Sequence, residues 1–403
     1  MSHIVIIGAG QAGAALAARL RALGFAGRLT LIGEEGAPPY QRPPLSKKYL
    51  LGEMPAERLY LRAPDFYAEN GIELRLNATA DAIDRKDRVV IAGGEAIAYD
   101  RLALTTGAVP RRLPGAIGGE LPGVHVVRTL ADVDAMAPAF RAGARVLIVG
   151  GGYIGLEAAA VAASRGLKVT LIEAAERILQ RVAAPETSDW FRALHRAHGV
   201  EIREGTGLVR LLGEAGVTGA ELTDGTVLEI DFAIVGIGVT PATELAEAAG
   251  LEVENGIRVD EFGHTSDPAI WAAGDCTSLP YRDGRTRLES VQNAIDQAEA
   301  VAANMLGAET PYRPKPWFWS DQYDVKLQIA GLNLGYDRVV TRPGERAGSV
   351  SHWYYRGAEL LAVDAMNDPR AYMTAKRLIE AGRSPDAAAV ADPGVELKAL
   401  IAA

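Results

Sequence analysis

The sequence has almost no cysteine: a single residue, Cys276, in a chain of 403. That excludes a disulfide framework, a cysteine-rich metal site and a redox cysteine pair within the chain. Histidine is also sparse, with six scattered residues. His195 and His198 stand three apart on an expected helix. No third ligand accompanies them, so an exposed helix face is the better reading than a metal site, and no metal is expected. Positive charge is in deficit. The net charge of −9 argues against a nucleic-acid partner, because phosphate binding needs a basic surface. Long apolar runs are missing too. The opening "MSHIVIIGAGQAG" lacks the basic flank of a signal peptide. The stretch from Val146 to Ala163 is broken by three consecutive glycines and Glu157, which does not suit a membrane helix. The expectations are therefore a cytoplasmic protein and no membrane partner.

What the sequence does have is glycine in two matching places. A short apolar run from Ile4 to Ile7 is followed by "GAGQAG", an alanine-rich segment to Leu23 and a second apolar run from Leu29 to Ile32. This pattern reads as strand, helix, strand. It returns from Arg145 to Glu173 in "RVLIVGGGYIGLEAAAVAASRGLKVTLIE". A supersecondary unit repeated more than a hundred residues apart predicts two nucleotide-binding domains and not a solenoid.

The glycines are Gly8, Gly10 and Gly13 in the first copy and Gly150, Gly152 and Gly155 in the second. The first of each set permits a tight turn. The second lets backbone approach a pyrophosphate, and the third lets helix and strand pack closely. The helix N-terminus then offers unpaired amides and a positive dipole end to the phosphates. An acid ends the second strand of each unit: Glu34, with Glu35 beside it, and Glu173. A carboxylate there accepts hydrogen bonds from a ribose hydroxyl pair. It also repels a 2′-phosphate by about 4 kcal/mol at ~4 Å and an effective dielectric of ~20. That favours NADH over NADPH at the second site, although Arg177 lies only four residues on. Two such sites suggest one tightly held and one exchanging dinucleotide, naturally FAD with NADH.

With 403 residues, two or three domains are expected. Pro110 and Pro114 mark a linker, and a second crossing falls between Ile234 and Leu245. After "PWFWSDQY" the pattern becomes alternating and turn-separated, as in a meandering antiparallel sheet. The expected fold is α/β: two Rossmann-like domains and a small α+β C-terminal domain with an antiparallel sheet. The expected divisions are 1–109 with 242–319 for FAD, 110–241 for NADH, and 320–403 for the C-terminal domain. Ser290 is a candidate helix cap. Trp317 and Trp319, two apart in an extended segment, share one face.

The segments "PYQRPPLSK", "VVRTLADV", "VGGGYIGLEAAA", "TSDPAIWAAGD", "ESVQNAIDQA" and "PWFWSDQYDVKLQIAGL" together resemble the bacterial FAD-dependent NADH–ferredoxin reductases. This is the putidaredoxin reductase and aromatic-dioxygenase type within the pyridine nucleotide-disulfide oxidoreductase superfamily. The resemblance covers nearly the whole chain. It implies a glutathione-reductase-like fold, with Ala12, Glu34, Pro43, Lys47, Ala80, Arg128, Asp275, Val291 and Trp319 around FAD. It likewise implies Ile154, Glu157, Glu173 and Gly238 as NADH contacts. Lys47 and Glu157 are implied to form an ion pair between domains beside the flavin, and this pair is the candidate catalytic element. Many flavin enzymes with a similar beginning hold redox cysteines near the position of "PYQRPPLSKKYL"; here there is none. The implied activity passes electrons from NADH through FAD to a 2Fe–2S ferredoxin, which serves a cytochrome P-450 or Rieske oxygenase. Lys315, Lys326, Arg287 and Arg313 are candidates for docking an acidic ferredoxin. A monomer or weak dimer is expected. Thr105, in a "TTG" that the family usually has as "ATG", is expected to matter little. The competing readings are a rubredoxin reductase, a disulfide or peroxide reductase, and a redox-controlled interaction protein resembling apoptosis-inducing factor.

Overall fold

The computed structural model describes residues 2–402. The chain divides into two compact units. One is Met1–Arg42, Met54–Val109 and Val239–Pro316; the other is Pro43–Glu53, Pro110–Gly238 and Trp317–Ala403.

The first unit is built on a five-stranded parallel sheet. Its order is Ile270–Ala272, Arg101–Leu104, His3–Ile7, Arg28–Ile32, Ile72–Arg75. All five residues of the central strand His3–Ile7 are buried, as expected for a parallel strand covered on both faces. Alternation along it separates two cores. Ile4 and Ile6 meet the helices Gln11–Ala22 and Val291–Met305 through Ala12, Leu16, Leu20, Ala294 and Ala298. Val5 and Ile7 meet Ile83, Val90 and Ile97, which belong to a small antiparallel sheet of Ala80–Asp84, Val89–Ala92 and Glu95–Ala98.

The second unit repeats the parallel design. Its order is Glu201–Glu204, Lys168–Glu173, Arg145–Val149, Phe232–Val235, Val124–His125. The helix Tyr153–Ser164 is buried continuously from Gly155 to Ala162. A helix apolar on all sides belongs inside a protein, and Glu157 is the one charged residue in that run. The C-terminal segment forms the expected antiparallel sheet, ordered Trp317–Gln322, Val325–Gly331, Glu359–Met366, Val350–Arg356, Arg338–Pro343. This sheet lies in the second compact unit, as does the segment Pro43–Glu53.

One face of the C-terminal sheet packs Trp353, Val363 and Ala365 against Ala371, Ala375 and Leu378 of the helix Pro369–Glu380. The other face carries a buried polar cluster against the helix Pro185–Ala197. The Thr187 hydroxyl lies 2.8 Å from Asp364 Oδ2 and 2.9 Å from His352 Nδ1, and the Tyr354 hydroxyl donates to Asp364. Burial pushes the Asp364 carboxyl up to about 6 against the hydrogen bonds from Tyr354 and Thr187, and lowers His352 to about 4.

These shifts pull stability in opposite directions. Asp364 is raised above its unfolded value of 3.8, so its contribution falls as pH rises toward 6. His352 is depressed below 6.5, so its contribution falls as pH drops from 6.5 toward 4. Asp364→Asn removes the first effect and leaves the second. The variant should lose stability on acidification across this window more steeply than the parent, as read from urea midpoints. Parallel pH curves for the two proteins would contradict this assignment.

Candidate functional site

In the first unit, Gly8 has φ +108°, and a Cβ there would stand 2.2 Å from the Thr105 carbonyl oxygen. A Cβ on Gly13 would stand 2.0 Å from the Gly8 carbonyl oxygen, whereas one on Gly10 would meet nothing within 4 Å. In the second unit, a Cβ on Gly150 (φ +109°) would stand 2.4 Å from the Gly236 oxygen and one on Gly155 2.0 Å from the Gly150 oxygen. Gly152 again faces open space. The chain itself therefore requires the first and third glycines of each set. The second leaves a cradle that a side chain would partly fill, where a pyrophosphate needs backbone access. Gly10 and Gly152 cap the following helices without any side-chain hydrogen bond, which leaves N-terminal amides for an anion. Both loops fit a dinucleotide.

The acids beside the two loops differ. Gly8 N–H donates to Ile32 O and Gly150 N–H to Ile172 O. That register aligns Glu173 with Gly33 and places Glu34 one residue further on. A Cβ on Gly33 would stand 2.5 Å from Ala9 Cβ, so Ala9 excludes a side chain there. Gly151 replaces Ala9 in the second loop and makes room for the Glu173 carboxylate, which accepts from Gly151 N–H at 2.7 Å and Ala175 N–H at 2.8 Å. Glu173 thus braces its own loop and keeps further lone pairs for a ligand. Of the two adjacent acids in the first unit, Glu35 is engaged by Tyr40 and Arg42, while Glu34 is exposed. Arg177 is turned to Ser188 and the Gln180 carbonyl. Sequence reading missed Arg181, whose guanidinium lies 3.3 Å from the position of a Cβ on Gly238.

The other first-unit candidates gather around small residues. A Cβ on Gly274 would stand 3.0 Å from Ala12 Cβ and 3.9 Å from Ala294 Cβ. Asp275 is therefore set beside the start of the helix Gln11–Ala22 and the first turn of the helix Val291–Met305. The Gln297 side-chain oxygen fixes this turn by accepting from Gly274 N–H and the Thr277 hydroxyl. Ser290 caps the helix that begins at Val291, accepting from Asn293 N–H. Ala80 opens the small antiparallel sheet. Thr105 does more than the sequence suggested: its buried hydroxyl lies 2.8 Å from the Gly8 carbonyl and 3.0 Å from that of Ile7. Cys276 is wholly buried, and desolvation raises its thiol pKa, which disfavours a reactive thiolate.

Pro43, Lys47, Arg128 and Trp319 belong to the second unit. Lys47 and Glu157 lie in the same compact unit. The segment Leu45–Tyr49 packs on the helix Tyr153–Ser164, and Lys47 Nζ meets Glu157 Oε2 at 2.5 Å. Lys47 also donates to the Pro43 carbonyl at 3.2 Å. Sequence reading missed two further donors to Glu157: Ser46 at 3.1 Å and Ser320 at 2.7 Å. Arg128 precedes the capping box of Thr129 and Asp132. Trp317 and Trp319 neighbour each other, with ring centroids 5.6 Å apart. Ile154 is 44% exposed at the start of its helix. His195 is buried against Gln322 and Tyr323, and His198 stacks on Tyr323. Among the described residues no group of His, Cys, Asp and Glu could hold a metal. Of the docking cations, Arg287 pairs with Glu289, Arg313 with Glu261 and Lys326 with Asp321, so each is partly neutralised.

The glycine geometry separates folding from binding. Gly155→Ala forces a Cβ onto backbone and should cost about 1–3 kcal/mol of stability. Gly152→Ala should leave the melting temperature unchanged while weakening NADH on the order of 10-fold or more, about 1.4 kcal/mol. Thermal melts and NADH titrations check both; equal behaviour of the two variants would contradict the assignment.

Residues 2–298 match the pyridine nucleotide-disulphide oxidoreductase family, and residues 317–401 match the reductase C-terminal family. The chain is 42% identical to putidaredoxin reductase of Pseudomonas putida, over 100% of this chain and 97% of that one. It is 40% identical to the anthranilate 1,2-dioxygenase system ferredoxin–NAD(+) reductase component of Burkholderia cepacia, over 98% of each. The fold matches the crystal structure of the covalent putidaredoxin reductase–putidaredoxin complex with a TM-score of 0.96 and 42% identity, covering 100% of this chain and 98% of that one. The chain belongs to the pyridine nucleotide-disulphide oxidoreductase family, which implies binding of FAD and NAD(H).

Proposed function

We propose that this protein is an NADH-dependent ferredoxin reductase, delivering electrons singly to a 2Fe–2S ferredoxin that supplies a cytochrome P-450 or Rieske oxygenase. The observation that carries this reading is the state of the only thiol. Cys276 is wholly buried and its pKa is raised by desolvation, so thiol–disulfide exchange is not a usable exit for electrons. The names of the relatives, a putidaredoxin reductase and a dioxygenase-system ferredoxin reductase, support a ferredoxin as the acceptor.

Gly8, Gly10, Ala12, Gly13, Glu34, Pro43, Lys47, Ala80, Arg128, Asp275, Val291 and Trp319 would hold FAD. Bound FAD supplies the conversion of a two-electron hydride donor into one-electron steps. Gly150, Gly152, Ile154, Gly155, Glu173 and Gly238 would hold NADH, with Glu173 accepting from a ribose hydroxyl and disfavouring a 2′-phosphate. Lys47 places a positive charge whose position is fixed by Glu157, and this pair orients the nicotinamide. No side-chain nucleophile or general acid is required. The division 1–109 with 242–319, 110–241 and 320–403 is proposed as a division of roles: FAD, NADH, and a small C-terminal domain. Among the described residues no helix is long and apolar enough to cross a membrane. A cytoplasmic monomer or weak dimer is part of the same proposal.

Anaerobic titration tests the reading. One equivalent of NADH should bleach the flavin absorbance, and two equivalents of oxidised 2Fe–2S ferredoxin should restore it. Restoration by a disulfide substrate but not by any ferredoxin would overturn the assignment.

A further inference from the structure

The strand Trp317–Gln322 has two faces. Trp317 and Trp319 lie on one; Phe318, Ser320 and Gln322 lie on the other. Two strand residues advance about 6.6 Å and four helical residues about 6 Å. The second face therefore keeps step with positions four apart on the helix Tyr153–Ser164. Phe318 meets the Tyr153 ring at 5.0 Å, and the Ser320 hydroxyl meets Glu157 Oε1 at 2.7 Å. Gln322 continues the row. Its side-chain amide lies 3.1 Å from Ser320 Oγ, and its oxygen lies 2.8 Å from His195 Nε2. His195 Nδ1 lies 3.2 Å from the Tyr323 hydroxyl.

The direction of every bond in this row follows from the available donors. The Glu157 carboxylate paired with Lys47 only accepts, so Ser320 must donate its single proton to it. Ser320 then accepts from the Gln322 amide N–H. The Gln322 oxygen takes the His195 Nε2 proton, which leaves Nδ1 of the neutral ring to accept from Tyr323. All donors point toward Glu157, an arrangement in which each bond polarises the next. Ser320 and His195 are 0% exposed and Gln322 is 1% exposed, so water does not substitute for any inner link. Burial holds His195 neutral by lowering its pKa to about 4. Protonation at Nδ1 would reverse only the outermost bond.

We propose that Ser320, Gln322 and His195 are positioning residues, a directed hydrogen-bond relay that fixes one oxygen of Glu157 so that the other holds Lys47. Nothing in the ordinary packing of this strand requires two uncharged polar side chains, Ser320 and Gln322, in line with a buried histidine of a neighbouring helix. Their common consequence is that Glu157 cannot rotate away from Lys47. The effect on catalysis rests on the proposed role of the Lys47–Glu157 pair; the effect on Lys47 itself does not.

The test therefore reads Lys47 directly. FAD-loaded protein is treated with limiting acetic anhydride, and acylation of Lys47 is measured by mass spectrometry against the adjacent exposed Lys48. Glu157→Gln sets the value for a released lysine. Ser320→Ala, which removes only a hydroxyl, should raise the Lys47 to Lys48 ratio on the order of 10-fold, as expected for loss of one hydrogen bond to a charged group. Gln322→Met should raise it less and Tyr323→Phe least, with thermal melts confirming folding. In the Glu157→Gln background, Ser320→Ala should add nothing. An unchanged ratio in Ser320→Ala, or additive effects in the double variant, would overturn the relay. If the ratio rises while NADH bleaches the flavin at the parental rate, the relay stands and the catalytic role of the pair falls.

Discussion

Within the second unit, a buried carboxylate organises three distant pieces of chain. Glu157 lies in a helix that is otherwise apolar, at 6% exposure. Desolvating an ion there costs several kcal/mol unless it is paired and its lone pairs are filled. Ser46 and Lys47 come from one segment, Ser320 from another, and between them they occupy both oxygens. The charge thus holds the segment Pro43–Glu53 and the strand Trp317–Gln322 to the same helix. Replacing the set with apolar residues could cost the fold little; its value lies in where it leaves the Lys47 ammonium.

The two glycine loops show one backbone solution adapted to two occupants. Their first and third glycines are constrained by contacts of nearly the same length, and both second glycines face open space. The difference lies in one exchange of volume. Ala9 with Gly33 in the first unit becomes Gly151 with Glu173 in the second, so the second loop is braced by a side chain and the first by packing. An acid locked to backbone amides cannot follow a ligand, whereas the exposed Glu34 can adjust its position. The buried hydroxyl of Thr105 ties the first loop to the neighbouring strand, a support that has no counterpart at Gly236, which carries no side chain.

The loops and the fold class were legible because they are local. Glycine spacing, the change from a two-residue to a helical period and the alternation after Trp317 all act within a few residues. The Ser290 cap was legible for the same reason. The partners of Glu157 were not. Lys47 was reached through resemblance alone, and Ser46 and Ser320 carry no spacing signal because they lie 111 and 163 residues from Glu157. Alternation marked Trp317 and Trp319 as one face of their strand. The opposite face, which carries the relay, looked unremarkable because serine and glutamine have no compositional signature. His195 was read as part of an exposed helix face in preference to a metal ligand, yet it is buried, with Gln322 and Tyr323 as partners. The grouping of Pro43–Glu53 with the second unit was hidden for a related reason: chain order follows the first unit, while the ion pair follows the second.

The proposed role of the Lys47–Glu157 pair extends to the flavin: an ammonium held there would set the charge environment of bound FAD. The most direct measurement is the flavin midpoint potential of Lys47→Met beside the parent, taken anaerobically in the absence of NADH. Removing a positive charge should make the flavin harder to reduce, lowering the potential by about 30 mV, the two-electron equivalent of 1.4 kcal/mol. A potential equal to that of the parent, with hydride transfer from NADH at the parental rate, would contradict the account.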